Sequence, residues 1–358
     1  MSEFHYTKCQ DITTQDIIDS YEKYKDNETD NGFIIDLDDL KECKYTSYLP
    51  IYIRLTSGEV VKPKKIKFIN QGIDIGYGIP QPQDRSNKTI QISSYLKNAS
   101  GAENINLLAC YYYCQAIEAT WNKHIEKKHI VKKGSKESKV PTITNEYGKK
   151  RPVHITNLDF KTFMSDEKKD KITGDWVKKD NPSFYFNIGK KFSKNIETLP
   201  ILMDKDGNKL YYKDREGNIS DKPIEIYEMD PTFYHANKCK YDSRSGKKIH
   251  ELVGDIDEDG NTVLNNVNIQ NYLVRNTSLF GSFRTDICIS GVSAKLNAHI
   301  SYANHIIQGE SDGVYNDVDE DDLTKFMSLK GVKNSLDEPT SAIATNDDSD
   351  ESSDEEDD

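Results

Sequence analysis

From Trp176 onward the chain is punctuated by turn signals too closely spaced for long helices. Asp206-Gly207-Asn208, Glu216-Gly217-Asn218 and Asp259-Gly260-Asn261 each lie among short runs rich in β-branched and aromatic residues, the pattern of strands joined by tight hairpins. The runs cover 184–188, 199–203, 209–213 and 224–229, and two longer ones, 279–289 and 292–307, flank Ser290-Gly291. Short strands at this spacing predict a barrel or sandwich rather than a βαβ repeat. Earlier in the chain, 48–55 and 64–70 read as a strand pair, with Ile66 and Phe68 on one face of the second strand and Lys65 and Lys67 on the other. Residues 72–84 are broken by Gly and Pro into a loop, and 89–92 form a short strand.

Two segments have helical periodicity. In 13–24, Ile17, Ile18, Tyr21 and Tyr24 recur behind Thr13 and Thr14 as N-caps. In 104–128, Ile105, Leu108, Tyr112, Ala116, Ile117 and Trp121 recur at spacings of three and four, which predicts one apolar face. The fold class is therefore mainly β with a few helices.

Charge is divided unevenly. The formal net charge is -12, yet residues 311–358 contain only three cations, Lys325, Lys330 and Lys333, among many Asp and Glu, so that residues 1–310 are left close to neutral. The run Asn346 to Asp358 has no apolar residue and predicts a disordered acidic tail. It is either a solubilising tail or a polyanion that competes with nucleic acid and recruits partners. Ser349, Ser352 and Ser353 sit among acids and would suit an acid-directed kinase. The basic counterpart is the connector 123–152, with ten cations from Lys123 to Arg151 opposed by Glu126, Glu137 and Glu146. It is read as a solvated loop or as an arm that tracks phosphates.

Chemical motifs are sparse. Cys9, Cys43, Cys110, Cys114, Cys239 and Cys288 form no CxxC pair, so the expectation is no metal site, with Cys110 and Cys114 as buried thiols on one helix face. Asp255-x-Asp257-x-Asp259-Gly260 resembles the start of a calcium loop, but position twelve is Asn266 where a bidentate Glu is needed, so a hairpin turn is expected. The eight histidines make no HExxH, and no Walker loop, GxGxxG or GxSxG occurs. These absences favour a non-enzyme with no cofactor. With a mean hydropathy of -0.77 and no run of about 20 apolar residues, no membrane association and a cytosolic or nuclear location are expected.

The most informative cluster runs from Trp176 to Lys194, where Trp176, Lys178, Lys179, Phe184, Tyr185, Phe186, Lys190, Lys191 and Lys194 interleave rings with cations. On a strand Phe184 and Phe186 share one face and Tyr185 takes the other. Exposed rings stack bases and lysines track phosphates without sequence preference. Alternatively, all three aromatics belong to the core and the lysines are ordinary surface. Similar sets are Tyr211, Tyr212, Lys213 and Arg215, and Phe233, Tyr234, Lys238, Lys240, Tyr241 and Arg244.

The order of these elements resembles the single-stranded DNA-binding proteins of nucleocytoplasmic large DNA viruses, relatives of a phage protein with an OB-fold and an acidic C-terminal tail. The resemblance lies in layout: strand pair 48–70, helix 104–128, basic aromatic strand 184–194, final strand pair 280–307, then the tail. It departs from the phage pattern in ending on Asp357-Asp358 rather than an aromatic residue, and in a longer body that implies insertions around 131–179 and 207–258. The resemblance implies an N-terminal helical extension (1–47), an OB-fold-like β-barrel body (48–310) and the tail (311–358). It also implies sequence-independent binding of single-stranded DNA, or RNA, in replication, repair or recombination. The resemblance has no short signature that assigns single residues; on the interleaved pattern of rings and cations, Trp176, Tyr185 and Tyr211 would stack bases, and Lys178, Lys179, Lys190, Lys191, Lys194 and Lys213 would meet phosphates. The tail would recruit replication proteins, the site of action would be the host cytoplasm, a viral factory or the virion, and a homodimer is compatible. The competing reading is a structural or interaction protein, such as a virion component or an acidic-tailed chaperone.

Overall fold

The computed structural model describes residues 8–27, 30–36, 39, 41–42, 47–82, 89–98, 100–128, 142–144, 150–152, 159–191, 199–213, 217–290, 293–301 and 304–307. The expected tail, most of the basic connector and Lys194 lie outside them.

The chain begins with β1 (Lys8–Thr13) and α1 (Thr14–Tyr24). Thr13 and Asp16 form a reciprocal capping box, the Thr13 hydroxyl accepting from the Asp16 N–H while the Asp16 carboxylate accepts from the Thr13 N–H at 2.7 Å. Then come β2 (Phe33–Ile35), β3 (Lys41–Glu42), β4 (Ser47–Leu49), β5 (Ile51–Arg54), β6 (Val60–Lys67), β7 (Ile73–Asp74) and β8 (Ile90–Tyr95). The single strand expected over 48–55 is two strands parted at Pro50, which has no N–H to give a ladder. The next strand starts four residues earlier than expected and runs through Pro63. Its register with the parallel partner β1 shifts there, Gln10 facing Pro63 and Asp11 facing Lys65, so that Lys64 on β6 is the extra, bulged residue beside the proline. Residues 8–35 share the core through Ile12, Ile17, Phe33 and Ile35.

The long helix α2 spans Ile105–Lys128. Its most buried stripe is Leu107, Cys110, Tyr113, Cys114, Ile117 and Trp121, rotated from the expected Ile105, Leu108 and Tyr112, which are half-buried. The helix is covered on two sides, which is why it reads as apolar over a wide arc. Tyr112 stacks on Tyr21 of α1 with ring centroids 4.3 Å apart, while Tyr113 packs edge-on against Phe33 and shares a 2.7 Å hydrogen bond with Thr285.

The hairpin β9 (Thr142–Thr144) and β10 (Lys150–Pro152) follows, then β11 (Asp159–Lys161), β12 (Met164–Lys169) and the long β13 (Trp176–Ile188). The remaining strands are β14 (Tyr211–Lys213), β15 (Ile219–Pro223), β16 (Phe233–Tyr241), β17 (Lys248–Leu252), β18 (Asp255–Ile256), β19 (Thr262–Val263), β20 (Ser278–Phe280), β21 (Ser282–Ser290), β22 (Ser293–Ile300) and β23 (Asn304–Ile307). The protein is mainly β. Its principal sheet follows the path β12-β13-β22-β21-β6-β5-β2, with β8 on β13, β4 on β21, and β1 and β11 in parallel on β6 and β22. This mixed sheet curls strongly into a half-barrel and does not close, in contrast to the expected closed barrel. A second sheet has the order β17-β16-β23-β20-β7.

The two long strands expected over 279–307 are each broken, and the breaks send their halves to different sheets. Gly281, at φ +142°, divides β20 from β21, a conformation a side chain would strain. Thus β20 and β23 belong to the second sheet and β21 and β22 to the first. The core between the principal sheet and α2 includes Phe68, Phe163, Phe184, Phe186 and Phe283, with neighbouring rings 5.2–6.3 Å apart.

Hairpin tips repeat one device. Asp170, Asp204, Asp242 and Asp257 each accept backbone N–H bonds within the turn they open. Asp257 closes the β18–β19 hairpin, so the calcium-like stretch forms a turn.

One polar side chain joins the N-terminal elements. Fully buried Asn106, in the first turn of α2, accepts from the Thr14 hydroxyl at 2.6 Å and the Ile69 N–H at 2.8 Å, and donates to the Ile69 and Gly72 carbonyls at 2.8 and 2.9 Å. Each unsatisfied buried group costs about 1–3 kcal/mol. Asn106→Ala orphans several of them at once and is expected to lower unfolding stability by about 3 kcal/mol or more, read from urea unfolding midpoints; a loss of under about 1 kcal/mol would contradict this account.

Candidate nucleic-acid interface

The face of the principal sheet turned away from α2 is polar because β22 alternates without a break. Ala294, Leu296, Ala298 and Ile300 enter the core, and Lys295, Asn297 and His299 project the other way. Strand pairing extends this row sideways: His299 lies opposite Asn187 of β13 and Arg284 of β21, and Asn187 lies opposite Gln91 of β8. The Gln91 amide donates to the Asn187 carbonyl oxygen at 2.7 Å.

A second wall faces this row. Beyond β13, Lys190 bridges to Met229, the Lys191 N–H bonds to the Glu228 carbonyl, and Asp230 N–H bonds to the Gly189 carbonyl. These contacts bring the 222–227 segment and the β14 strand over the sheet. Between the walls lies a groove of about 570 Å³, lined by Gln91, Lys190, Tyr212, Lys222, Tyr227 and Lys295 among others. The Lys190 ammonium lies 4.7 Å from the centre of the Tyr227 ring, a favourable cation–π position. Among the described residues, Lys190, Lys222 and Lys295 have no carboxylate at ion-pairing distance. Among the described residues of the lining, Glu225 is the one acidic side chain against three lysines, so this described lining is net positive. It can therefore hold an anion, with rings and amides alongside.

The sequence-derived candidates divide sharply. Lys190 lines the groove. Tyr185 is on the same face as Asn187, partly exposed, with the Lys179 ammonium nearby, bonded to the Ser165 hydroxyl at 2.7 Å and the Ser183 hydroxyl at 3.4 Å. Phe184 and Phe186 are core, as their alternation predicted. Lys178 is held by Asp166 at 2.7 Å and Glu167 at 3.1 Å, and its hydrogen bonds to those carboxylates raise its pKa. Lys191 is held by Glu228 at 2.5 Å. Both charges are already answered within the protein. Trp176 is exposed but opposite Lys169 near the hairpin end of β13, nine residues from Tyr185, up to roughly 30 Å along the strand. Tyr211 and Lys213 pair with Pro223 and Ile219 on β15, and strand alternation turns the intervening Tyr212, not Tyr211, to the groove.

The residues missed were Gln91, Lys222, Tyr227, Lys295, Asn297 and His299, while Tyr212 was noted only as a member of an interleaved set and not chosen as a contact. The strict polar-apolar alternation from Lys295 to Ile300 could have revealed the β22 row. Nothing local marks the opposite wall, which pairing distant in sequence brings into place.

Elsewhere, Cys110 and Cys114 are buried on α2, and burial pushes both thiols well above their ordinary range, disfavouring the thiolate. Among the described residues no cluster of three His, Cys, Asp or Glu side chains is placed to hold a metal, and no helix is long and apolar enough to cross a membrane. No protein-family model and no curated protein matches the sequence.

His299 and Asp286 lie 3.9 Å apart beside the groove. Burial lowers the imidazole pKa from 6.5, partly offset by the Asp286 charge, and burial raises the Asp286 carboxyl from 3.8. The unfolded chain takes up the histidine proton near 6.5 and the folded one only at lower pH, so this group's contribution to stability falls as pH drops below 6.5. The His299 ring protons should titrate in NMR with a midpoint below 6.5, and His299→Gln should reduce the acid-side loss of stability. A midpoint at or above 6.5 would contradict the burial argument.

Proposed function

We propose that this protein binds single-stranded nucleic acid through the groove on the exposed face of its curled sheet, without catalysing a reaction. The observation behind the reading is a set of three ammonium groups, Lys190, Lys222 and Lys295, that have no carboxylate at ion-pairing distance among the described residues and that line one groove with Tyr212 and Tyr227. Ammonium groups release counterions from a phosphate backbone, and tyrosine faces stack bases of any identity. The layout resemblance to viral single-stranded DNA-binding proteins points the same way, and the curled sheet takes the place of their OB-type barrel. DNA is the favoured ligand, in replication, repair or recombination at a cytoplasmic viral factory. The acidic segment 311–358 serves as a competing polyanion and a recruiter of replication proteins.

Fluorescence anisotropy with a labelled oligo-dT tests this. Affinity should fall steeply with salt, with a log–log slope of about 0.7 per phosphate neutralised. The triple variant Lys190→Ala, Lys222→Ala, Lys295→Ala should weaken binding and flatten that slope by about two. Deleting 311–358 should tighten binding at low salt. Absence of salt-dependent binding to any oligonucleotide would overturn the reading and favour a structural or interaction role.

A further inference from the structure

The polar face does not end at the groove. β8 and β13 run antiparallel with Gln91 opposite Asn187, Ser93 opposite Tyr185 and Tyr95 opposite Ser183. These six side chains project to the side away from α2, while Ile90, Ile92, Phe184 and Phe186 enter the core. One step of two residues along the pair, about 7 Å, therefore leads from the amides of the groove to tyrosine rings.

Tyr77 joins them from the loop after β7. Its backbone bridges to Ser93, its side chain is 64% exposed, and its ring centroid lies 5.8 Å from that of Tyr95 at 68°. The Tyr95 ring lies so close over Gly76 that a Cβ there would approach it to 2.5 Å, so the glycine makes room for the ring. Cations flank the three rings. Asn276, at φ +66°, gives its N–H to the Ile75 carbonyl at 2.8 Å, and this turn sets exposed Arg275 against the loop that carries Tyr77, where a Cβ on Gly78 would lie 3.4 Å from the Arg275 backbone nitrogen. The Lys179 ammonium approaches from the β12 side.

We infer that Tyr77, Tyr95 and Tyr185 form a second base-stacking station for the strand bound in the groove, so that one single strand runs from Lys190 and Lys295 past Asn187 and Tyr185 onto Tyr77. The inference rests on the nucleic-acid reading of the groove and extends it to a continuous footprint. Its support lies outside the groove: partly exposed rings gathered on a polar sheet face, with the Lys179 ammonium on one side and the Arg275 turn on the other, one strand step from the groove's amides. Three partly exposed tyrosines could otherwise serve to cover the β7–β8 loop. That role does not require exposed faces or flanking cations.

A length series of oligo-dT, short (four nucleotides) and long (about twelve), titrated against the full chain at low salt, separates the possibilities. Tyr77→Ala, at an exposed position, should leave the short oligonucleotide's affinity unchanged and weaken the long one on the order of 5- to 100-fold. Tyr77→Phe, which keeps the ring, should restore it. Tyr185→Ala should behave like Tyr77→Ala. If both alanine variants bind the long oligonucleotide as wild type does, while the triple lysine variant is weakened, the second station is overturned and the groove stands. If wild type binds neither length, both fall together.

Discussion

The Asn106 carboxamide is the constraint on which the first third of the molecule depends. Its four hydrogen bonds reach the start of α1, the segment after β6 and the loop before β7. A buried amide with all its capacity used allows one geometry, since any shift leaves a polar group in a dry place. It thereby sets where α2 starts, and α2 in turn covers one face of the principal sheet. Apolar packing alone would tolerate a helix that slid by part of a turn. The amide does not.

Covering one face of the sheet leaves the other free for polar chemistry, and β13 shows the division within a single strand. Phe184, Phe186 and Ile188 pack inward, while Tyr185 and Asn187 project outward. β22 repeats the division with Lys295, Asn297 and His299 on the outer side. The chemistry of the candidate site is thus a by-product of strand alternation in the middle of the sheet, where backbone pairing on both sides holds each side chain in register. The sheet side of the groove is held by continuous strand pairing, whereas its second wall is held by isolated bridges such as Lys190 with Met229 and Ile201 with Glu225.

Much of this was legible before the structure. Thr13 as a cap, the extents of both helices and the two faces of β13 follow from local rules that depend on neighbours three or four residues away. What was not legible depends on distant partners. Lys178 and Lys191 look like free phosphate contacts in sequence, yet Asp166 and Glu228 neutralise them from other segments. Lys222 carries no local sign of function, the alternation around Lys295 marks only which face it takes, and distant pairing places the two together. In the α2 stripe Ala116, Ile117 and Trp121 are buried as expected, while Ile105, Leu108 and Tyr112 are only half-buried, because the helix is covered by α1 as well as by the sheet and half-buried and buried positions look alike in a periodicity count. Pro50 and Gly281 divided strands that composition alone presents as continuous.

Gly281 has a broader consequence. Because it passes the chain from one sheet to the other, the segment 278–307 supplies interior strands to both: β21 and β22 to the first, β20 and β23 to the second. Their partners include β4, β6 and β7, more than two hundred residues earlier. Contacts so distant in sequence make folding slow. During synthesis, the first sheet cannot complete its centre until Ile300 has left the ribosome, nor the second until Ile307, and until then the end of β6 at Ile66 and Lys67 and the end of β13 at Asn187 lack their β21 and β22 partners. A shortened chain ending before residue 278 would lose the middle of two sheets rather than a trailing end, so nascent chains of this protein should be clients for chaperones that shield exposed strands.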